Sequence, residues 1–597
     1  MTTSAKGAGE GRPHSFHIPV MGTGFTIDTP LRVARYGVSS VVSIVDDRLI
    51  ERMRLFHARE AGEACEPITD NDPDARSRRI TAYLDLLSRL VDAQCARMRS
   101  ESFGAGSDLT RYYELMDDAC ALKAEYGRMV ALEDGPERRE IERRLRAAVR
   151  PGAIDVNIMT KVDAERTGKG EFSDALAALR GFALSTLESS VVLSAGLNLP
   201  LFSYLETFDD FFPRGGSPPR KRVILKVSDF RSAFTQAKVL AKKGLWVSEF
   251  RIESGLNCGG HAFATAGHLL GPVLEEFLAR KDEFLRTVHP VYREALQAKR
   301  PGSEPEPPAM CVSAQGGVGT SAETRFLLRR YGLVSVGWGS PFLLVPEATT
   351  VDDDTLAKLA RAGEGDIYLS EASPLGVPFF NLRNSASEEA RRERIRLGRP
   401  GSPCLYRYLA FNTEFGEALC TASARYQRLK VDQLKETLGE GEAFEHAREK
   451  VYEKSCICRD LGSGALIKNG LGVDEKRFPA VCPGPNLVFF KRIASLREMV
   501  DHIYGRSDLL DGISRPHVFL NELRLYIDHL KRRVREALSP AGKERAYLEE
   551  FKENLLAGAR YYRGLAEQLA EETPAAVRRF LSELGALEGE LLEIAVS

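Results

Sequence analysis

Short β-branched runs alternate with amphipathic stretches through the first 350 residues, and the alternation counts to eight. The runs are Ile18–Met21, Val38–Val45, Asp155–Met159, Ser190–Ser194, Arg222–Val227, Val247–Ile252, Met310–Ala314 and Val334–Gly337. Helical patterns separate several of them. Asp28–Gly37 reads as a capped helix with Pro in its first turn and Gly at its exit. Phe230–Lys243 and Ser321–Tyr331 are amphipathic at helical spacing. Eight strands with helical crossovers predict a (β/α)8 TIM barrel rather than an open doubly wound sheet.

Two blocks exceed a minimal barrel. Residues 51–150 interrupt the second and third strands with helical runs at Ile80–Arg99, Leu109–Glu133 and Pro136–Val149, a helical insertion after the second strand. From about Ser385 onward the chain is again mainly helical. The predicted organisation is an N-terminal stretch 1–14, a barrel over 15–384 including the insertion, a Cys-containing mixed region over 385–515, and a helical bundle over 516–597. In that tail Ser539–Gly542 breaks two long helices and Thr573-Pro574 starts the last.

Composition narrows the class of protein. A chain of 597 residues is too long for one barrel core alone, and its 43% hydrophobic and 28% charged residues are ordinary for a globular protein. The formal charge of −1 gives no footing for nucleic acid or an anionic membrane. Met1–Pro13 lacks the apolar core of a secretory signal, and no apolar run reaches membrane-spanning length, so a soluble cytoplasmic protein is expected. Ten cysteines in so long a chain do not read as a disulfide framework.

The candidate chemistry lies at the ends of the later strands. Ser254-Gly-Leu-Asn-Cys-Gly-Gly-His261 follows the sixth, Ala314-Gln-Gly-Gly317 the seventh, and Gly337-Trp-Gly-Ser340 ends the eighth. Glycine at a strand end lets a ligand approach the backbone. Two such turns at adjacent late strands suit a phosphate, with Gly316, Gly317, Gly339 and Ser340 as donors. A lone Gly-Gly pair would read as a tight turn. His261, after Gly259 and Gly260, is the candidate acid/base; a single histidine is more often a packed residue, and the preceding glycines make the case for this one. Lys226 interrupts the apolar run Val223–Val227, where an unpaired lysine is costly. His268 reads as a capping or structural residue and Cys258 as small apolar packing. Cys404, Cys420, Cys456, Cys458 and Cys482 contain one close pair, Cys456-Ile-Cys458, a poor match to metal-ligand spacing, so free buried thiols are expected.

These elements, in this order, resemble the FMN-dependent nitronate monooxygenase (2-nitropropane dioxygenase-like) family. That group includes flavin-dependent enoyl-acyl-carrier-protein reductases and NADH:quinone reductases. Ile18-Pro-Val-Met-Gly22 is similar to the family's first strand, Asp155-Val-Asn-Ile158 to its Gly-Val-Asn-Leu element, and Val223–Val227 to its fifth strand. Asn257-Cys-Gly-Gly-His261, Ala314–Val318 and Val336–Leu343 with Pro346-Glu-Ala348 resemble its later motifs. The resemblance covers about 15–50 and 150–350. The loop after Met21 reads Gly-Thr-Gly-Phe rather than the family's polar-Gly-Pro-Met, and Asn257 stands where an acidic residue is usual. The resemblance implies FMN at the barrel mouth, with Met21, Gly22, Asn157, Lys226, Gly259, Gly260, Gly316, Gly317, Gly339 and Ser340 around it. It implies His261 as the catalytic residue and nitronate-monooxygenase-like oxidation of a small anionic substrate. The alternative that the resemblance implies is NAD(P)H-dependent reduction of an enoyl thioester or a quinone in the same pocket. A non-catalytic flavin-binding interaction protein is the reading from another class. The helical tail suits a covering bundle or a homo-oligomer contact.

Overall fold

The computed structural model describes residues 12–160, 163, 172–194, 196–214, 216–258, 265–302, 308–402, 407, 409–473, 477–536, 542–569 and 574–596. Eight parallel strands close a barrel in chain order: β1 (Phe16–Ile18), β2 (Ser39–Ser43), β3 (Ile154–Ile158), β4 (Ser190–Leu193), β5 (Arg222–Val227), β6 (Val247–Glu253), β7 (Cys311–Gln315) and β8 (Ser335–Gly337). The seam pairs Phe16 with Val336 and His17 with Gly337. β5 matches its predicted bounds and the others differ from theirs by one to three residues. β1 differs most. Pro19 cannot donate to a ladder, so the strand ends at Ile18 and 19–21 become the way into the mouth. Asp28–Gly37 splits into a helix over Thr29–Val33 and a 3-10 turn over Ala34–Tyr36 that exits through left-handed Gly37. Asp28 does not cap it; its carboxylate pairs with Arg32 at 3.0 Å instead.

Alternation along the strands decides what fills the barrel. Asp155 and Asn157 of β3, Ile224 and Lys226 of β5, and Ser313 and Gln315 of β7 share the inward face. On β6 that face carries Glu249, Arg251 and Glu253, with Phe250 and Ile252 turned into the surrounding core. Against them, Val20, Val41, Val192 and Ile224 form a small apolar cluster separate from the main core. A barrel interior is ordinarily packed with branched apolar side chains. This one is charged.

The regular elements of the insertion between β2 and β3 are all helices, Ala75–Ser100, Asp108–Leu115, Ala121–Ala131 and Pro136–Ala148, after a first helix at Asp47–Glu60. The predicted run Leu109–Glu133 breaks at 116–120, where Asp117 accepts the Ser15 hydroxyl at 2.5 Å and fixes the entry to β1. After the barrel come an antiparallel pair, β9 (Ile367–Ser370) and β10 (Phe379–Leu382), and then helices. Three long ones, Val518–Glu536, Lys543–Leu565 and Pro574–Glu593, end the chain, the last starting at the predicted proline. Val518–Glu536 buries Phe519, Leu523, Tyr526 and Leu530, one face at helical spacing. One continuous apolar core runs from Phe16 of the barrel to Ile594 of the last helix. No described helix is long and apolar enough to cross a membrane.

Candidate functional site

The C-terminal ends of the strands gather a polar group around one carboxylate that the sequence reading passed over. Glu253, the last residue of β6, takes Lys226 Nζ at 2.9 Å, Asn257 Nδ2 at 2.5 Å and Gln315 Nε2 at 2.8 Å, all on Oε1. Lys226 is nearly buried, so this pairing is what makes a charged amine tolerable among Val223, Ile224, Leu225 and Val227. The period-two spacing of Glu249, Arg251 and Glu253 was the signal that could have found Glu253. Asn157, on β3, is buried, and its Oδ1 has no hydrogen-bond partner among the described residues. A buried carboxamide oxygen without a donor costs about 1–3 kcal/mol, so a ligand donor is worth seeking there.

Met21, Cys258 and Gly339 come together from three loops. A Cβ on Gly339 would lie 3.3 Å from Cys258 Cβ and from Pro19 Cγ, and 3.9 Å from Met21 Sδ. Gly22, Gly316 and Gly317 hold left-handed φ of 57°, 107° and 80°. A Cβ on Gly316 would stand 2.9 Å from Asn257 N, so this glycine lets the loops after β6 and β7 pack on each other. Gly259, Gly260 and His261 lie outside the described residues.

The C-terminal region is built over these loops. The Cys258 thiol donates to the Cys482 carbonyl at 3.1 Å, and burial pushes it well above the usual thiol range. A Cβ on Gly484 would lie 2.5 Å from Ser340 Oγ. Asn486 Nδ2 donates to Val318 O at 2.9 Å, and Arg515 donates to Gly317 O and to Asn486 Oδ1. Arg515 also pairs with Glu323 at 2.7 Å, both being almost fully buried. Burial pushes the Glu323 carboxyl up, but the Arg515 guanidinium prevails and holds it below the usual carboxylate range. A helix over Ile457–Lys468 closes the side by β1, where a Cβ on Gly24 would stand 2.9 Å from Leu461 O.

The two sides of the mouth suit unequally the two ends of the FMN that the resemblance implies. On the ring side, Lys226 and the unpartnered Asn157 oxygen offer a cation and an acceptor at strand ends. On the phosphate side, chain-on-chain packing against Asn257, Cys258 and Gly484 already accounts for Gly316, Gly339 and the covered Ser340 hydroxyl. The ring side carries the fit.

The cysteines divide. Cys456 and Cys458 sulfurs stand 4.0 Å apart, and Cys458 shares a small apolar cluster with Cys420, while Cys482 sits in the main core. Cys404 lies outside the described residues. Among the described residues no group of three or more metal-ligating side chains is placed to hold an ion.

No family model and no curated protein matches the chain. Among the solved structures similar to it are two oxidoreductases. The enoyl reductase domain of MlnA from the macrolactin biosynthesis cluster of Bacillus amyloliquefaciens is 14% identical, with a TM-score of 0.32, over 68% of this chain and 87% of that one. Nitroalkane oxidase from Streptomyces ansochromogenes is 12% identical, with a TM-score of 0.28, over 63% and 87%. No activity passes to this chain from likenesses at that level, and the barrel rests on its own strand pairing.

Proposed function

We propose that the chain is a flavin-dependent oxidoreductase that holds FMN at the C-terminal mouth of the barrel. Its activity on this reading is nitronate-monooxygenase-like oxidation of a small anionic substrate. The motifs that resemble that family fall on strand ends and on the loops that follow them. The single observation that carries the reading is the buried, unpartnered Asn157 Oδ1 at that mouth. When bound, the flavin supplies a two-electron acceptor. Asn157 would accept a hydrogen bond from the ring's imide. Lys226, fixed by Glu253, would place a cation toward the ring and favour its anionic reduced form. His261 would hold or move the proton on the substrate carbon, as an imidazole suits near neutral pH.

The absorbance spectrum of the purified chain, and chromatography of the ligand released by heat, test the cofactor. Asn157→Ala should lower flavin occupancy. His261→Ala should keep the flavin and lose about 10²–10⁴-fold in turnover, the usual effect of removing a positioned acid/base. Bleaching by a nitronate but not by NADH or NADPH separates this activity from reduction of an acyl thioester or quinone. A colourless chain that takes up no added FMN would end the proposal.

A further inference from the structure

We propose that the opposite, N-terminal end of the barrel is a second ligand site, for a small organic oxyanion carrying a phosphate or carboxylate group. A cavity of about 350 Å³ opens there among the first residues of the strands. That volume lies within the range of small-molecule sites, roughly 300–1,000 Å³. Its opening carries Arg12, Arg150 and Arg222.

The floor of the cavity is a closed ionic network. Arg251 binds Glu249 at 2.9 Å and Asp155 at 3.3 Å. Glu249 also accepts the Ser313 hydroxyl at 2.6 Å, and Asp155 accepts the Ser190 N–H at 3.2 Å. Burial pushes the Glu249 carboxyl up, but the Arg251 guanidinium outweighs it and brings it to about 2. His17, beside them, is held neutral: burial first, then the Arg251 charge, lowers it to about 3. Replacing such buried ions with apolar side chains is often neutral or stabilising, so they are poorly explained as props for the fold. Clefts that combine buried ionic groups with open volume are where ligands are found.

The opening has the other sign. Arg251 is matched by its two carboxylates and the Arg12 charge is felt by Glu249, but the Arg222 guanidinium has no ion pair or hydrogen bond among the described residues. Arg150 spends its guanidinium on the carbonyls of Ala147 and Val149. Arg222 is the first residue of β5 and pairs in register with Ser190, which places it on the inward face. Guanidinium groups bind phosphate and carboxylate through two parallel hydrogen bonds, a geometry that lysine lacks. A bare cationic rim would bind an ion at its surface. The volume behind this rim, lined by Ser335 and Ile224, gives an organic body somewhere to go.

Calorimetry and thermal shift on the full chain test the site, with inorganic phosphate, glycerol phosphate and succinate as probes. An organic oxyanion should bind and raise Tm, and Arg222→Gln should weaken it about tenfold or more, the range for a hydrogen bond to a charged group. Arg222 holds no other side chain in place, so the variant should fold; an unchanged Tm without ligand verifies this. Lys226→Ala, at the other end of the barrel, should leave the affinity as it is, which separates this site from the flavin reading. Binding of glycerol phosphate well above inorganic phosphate marks a phosphate ester as the ligand, and a preference for succinate marks a carboxylate. The proposal is overturned if no probe binds, if inorganic phosphate binds as well as either organic probe, or if Arg222→Gln binds like the parent.

Discussion

Glu522 shows what a single residue of the C-terminal helices does for the barrel. Its carboxylate accepts the Leu270 N–H at 2.7 Å, while Oε1 has no partner within hydrogen-bond geometry and faces Ser254 and Gly255. Burial raises it to about 7. In the unfolded chain a glutamate titrates near 4.3, so between those values the folded state binds the extra proton. The stability that follows is fully present below the unfolded value and is lost as pH rises through about 7. Glu522→Gln keeps an acceptor for Leu270 and removes the titration. The variant should therefore gain stability over the parent as pH rises from 5 to 8, measured as the difference in Tm across that range. A constant difference would show that Glu522 does not titrate there.

At the scale of elements, legibility in the sequence followed the locality of the signal. Arg222–Val227 and Ser321–Tyr331 are legible to the residue, because β-branched content in one and helical spacing in the other are local facts. The later strand ends with their glycine turns were legible for the same reason. Glu253 was not, because the reading of β6 stopped at Ile252, one residue before the side chain that organises the mouth. Nor was the helix Ile457–Lys468 placed, whose Gly462 and Gly464 are poor helix formers explained only by contact with distant residues. A Cβ on Gly462 would lie 2.9 Å from Leu49, and one on Gly464 would lie 2.9 Å from Asp352. Gly24→Ala tests that docking. The added methyl meets the backbone of Leu461 and Gly462, which cannot swing aside as a side chain would. The expected loss is about 1–3 kcal/mol, as for other overpacked sites, read from the denaturation midpoint. The thiols at the start of this helix are expected to hold no metal; near-stoichiometric zinc or iron, lost in Cys456→Ser with Cys458→Ser, would contradict that.

The whole molecule adds a constraint that neither scale contains. The loop after β6, which carries the candidate histidine, is gripped on both sides of 259–264 by the last helices. Gly255 packs on Tyr526, Gly267 on Phe551, and Gly271 donates its N–H to Tyr562 at 3.2 Å. Asn554 donates to the carbonyl of Ala266 at 2.7 Å, which fixes a residue with left-handed φ of 60°. A barrel whose site loop is held by helices more than 250 residues further along cannot finish that loop before the chain end has folded. The core gives the same answer, since barrel and tail share one apolar cluster. Calorimetry of the full chain should therefore show a single cooperative transition, and removal of 516–597 should leave a barrel that is unstable or insoluble, because Leu269 would lose its packing on Gly558 and the Leu270 N–H its acceptor on Glu522. Two separated transitions, or a truncated chain with the stability of the parent, would mean that the tail is an appended domain. One transition with loss of the truncated barrel would make the C-terminal helices part of the machinery that shapes the mouth.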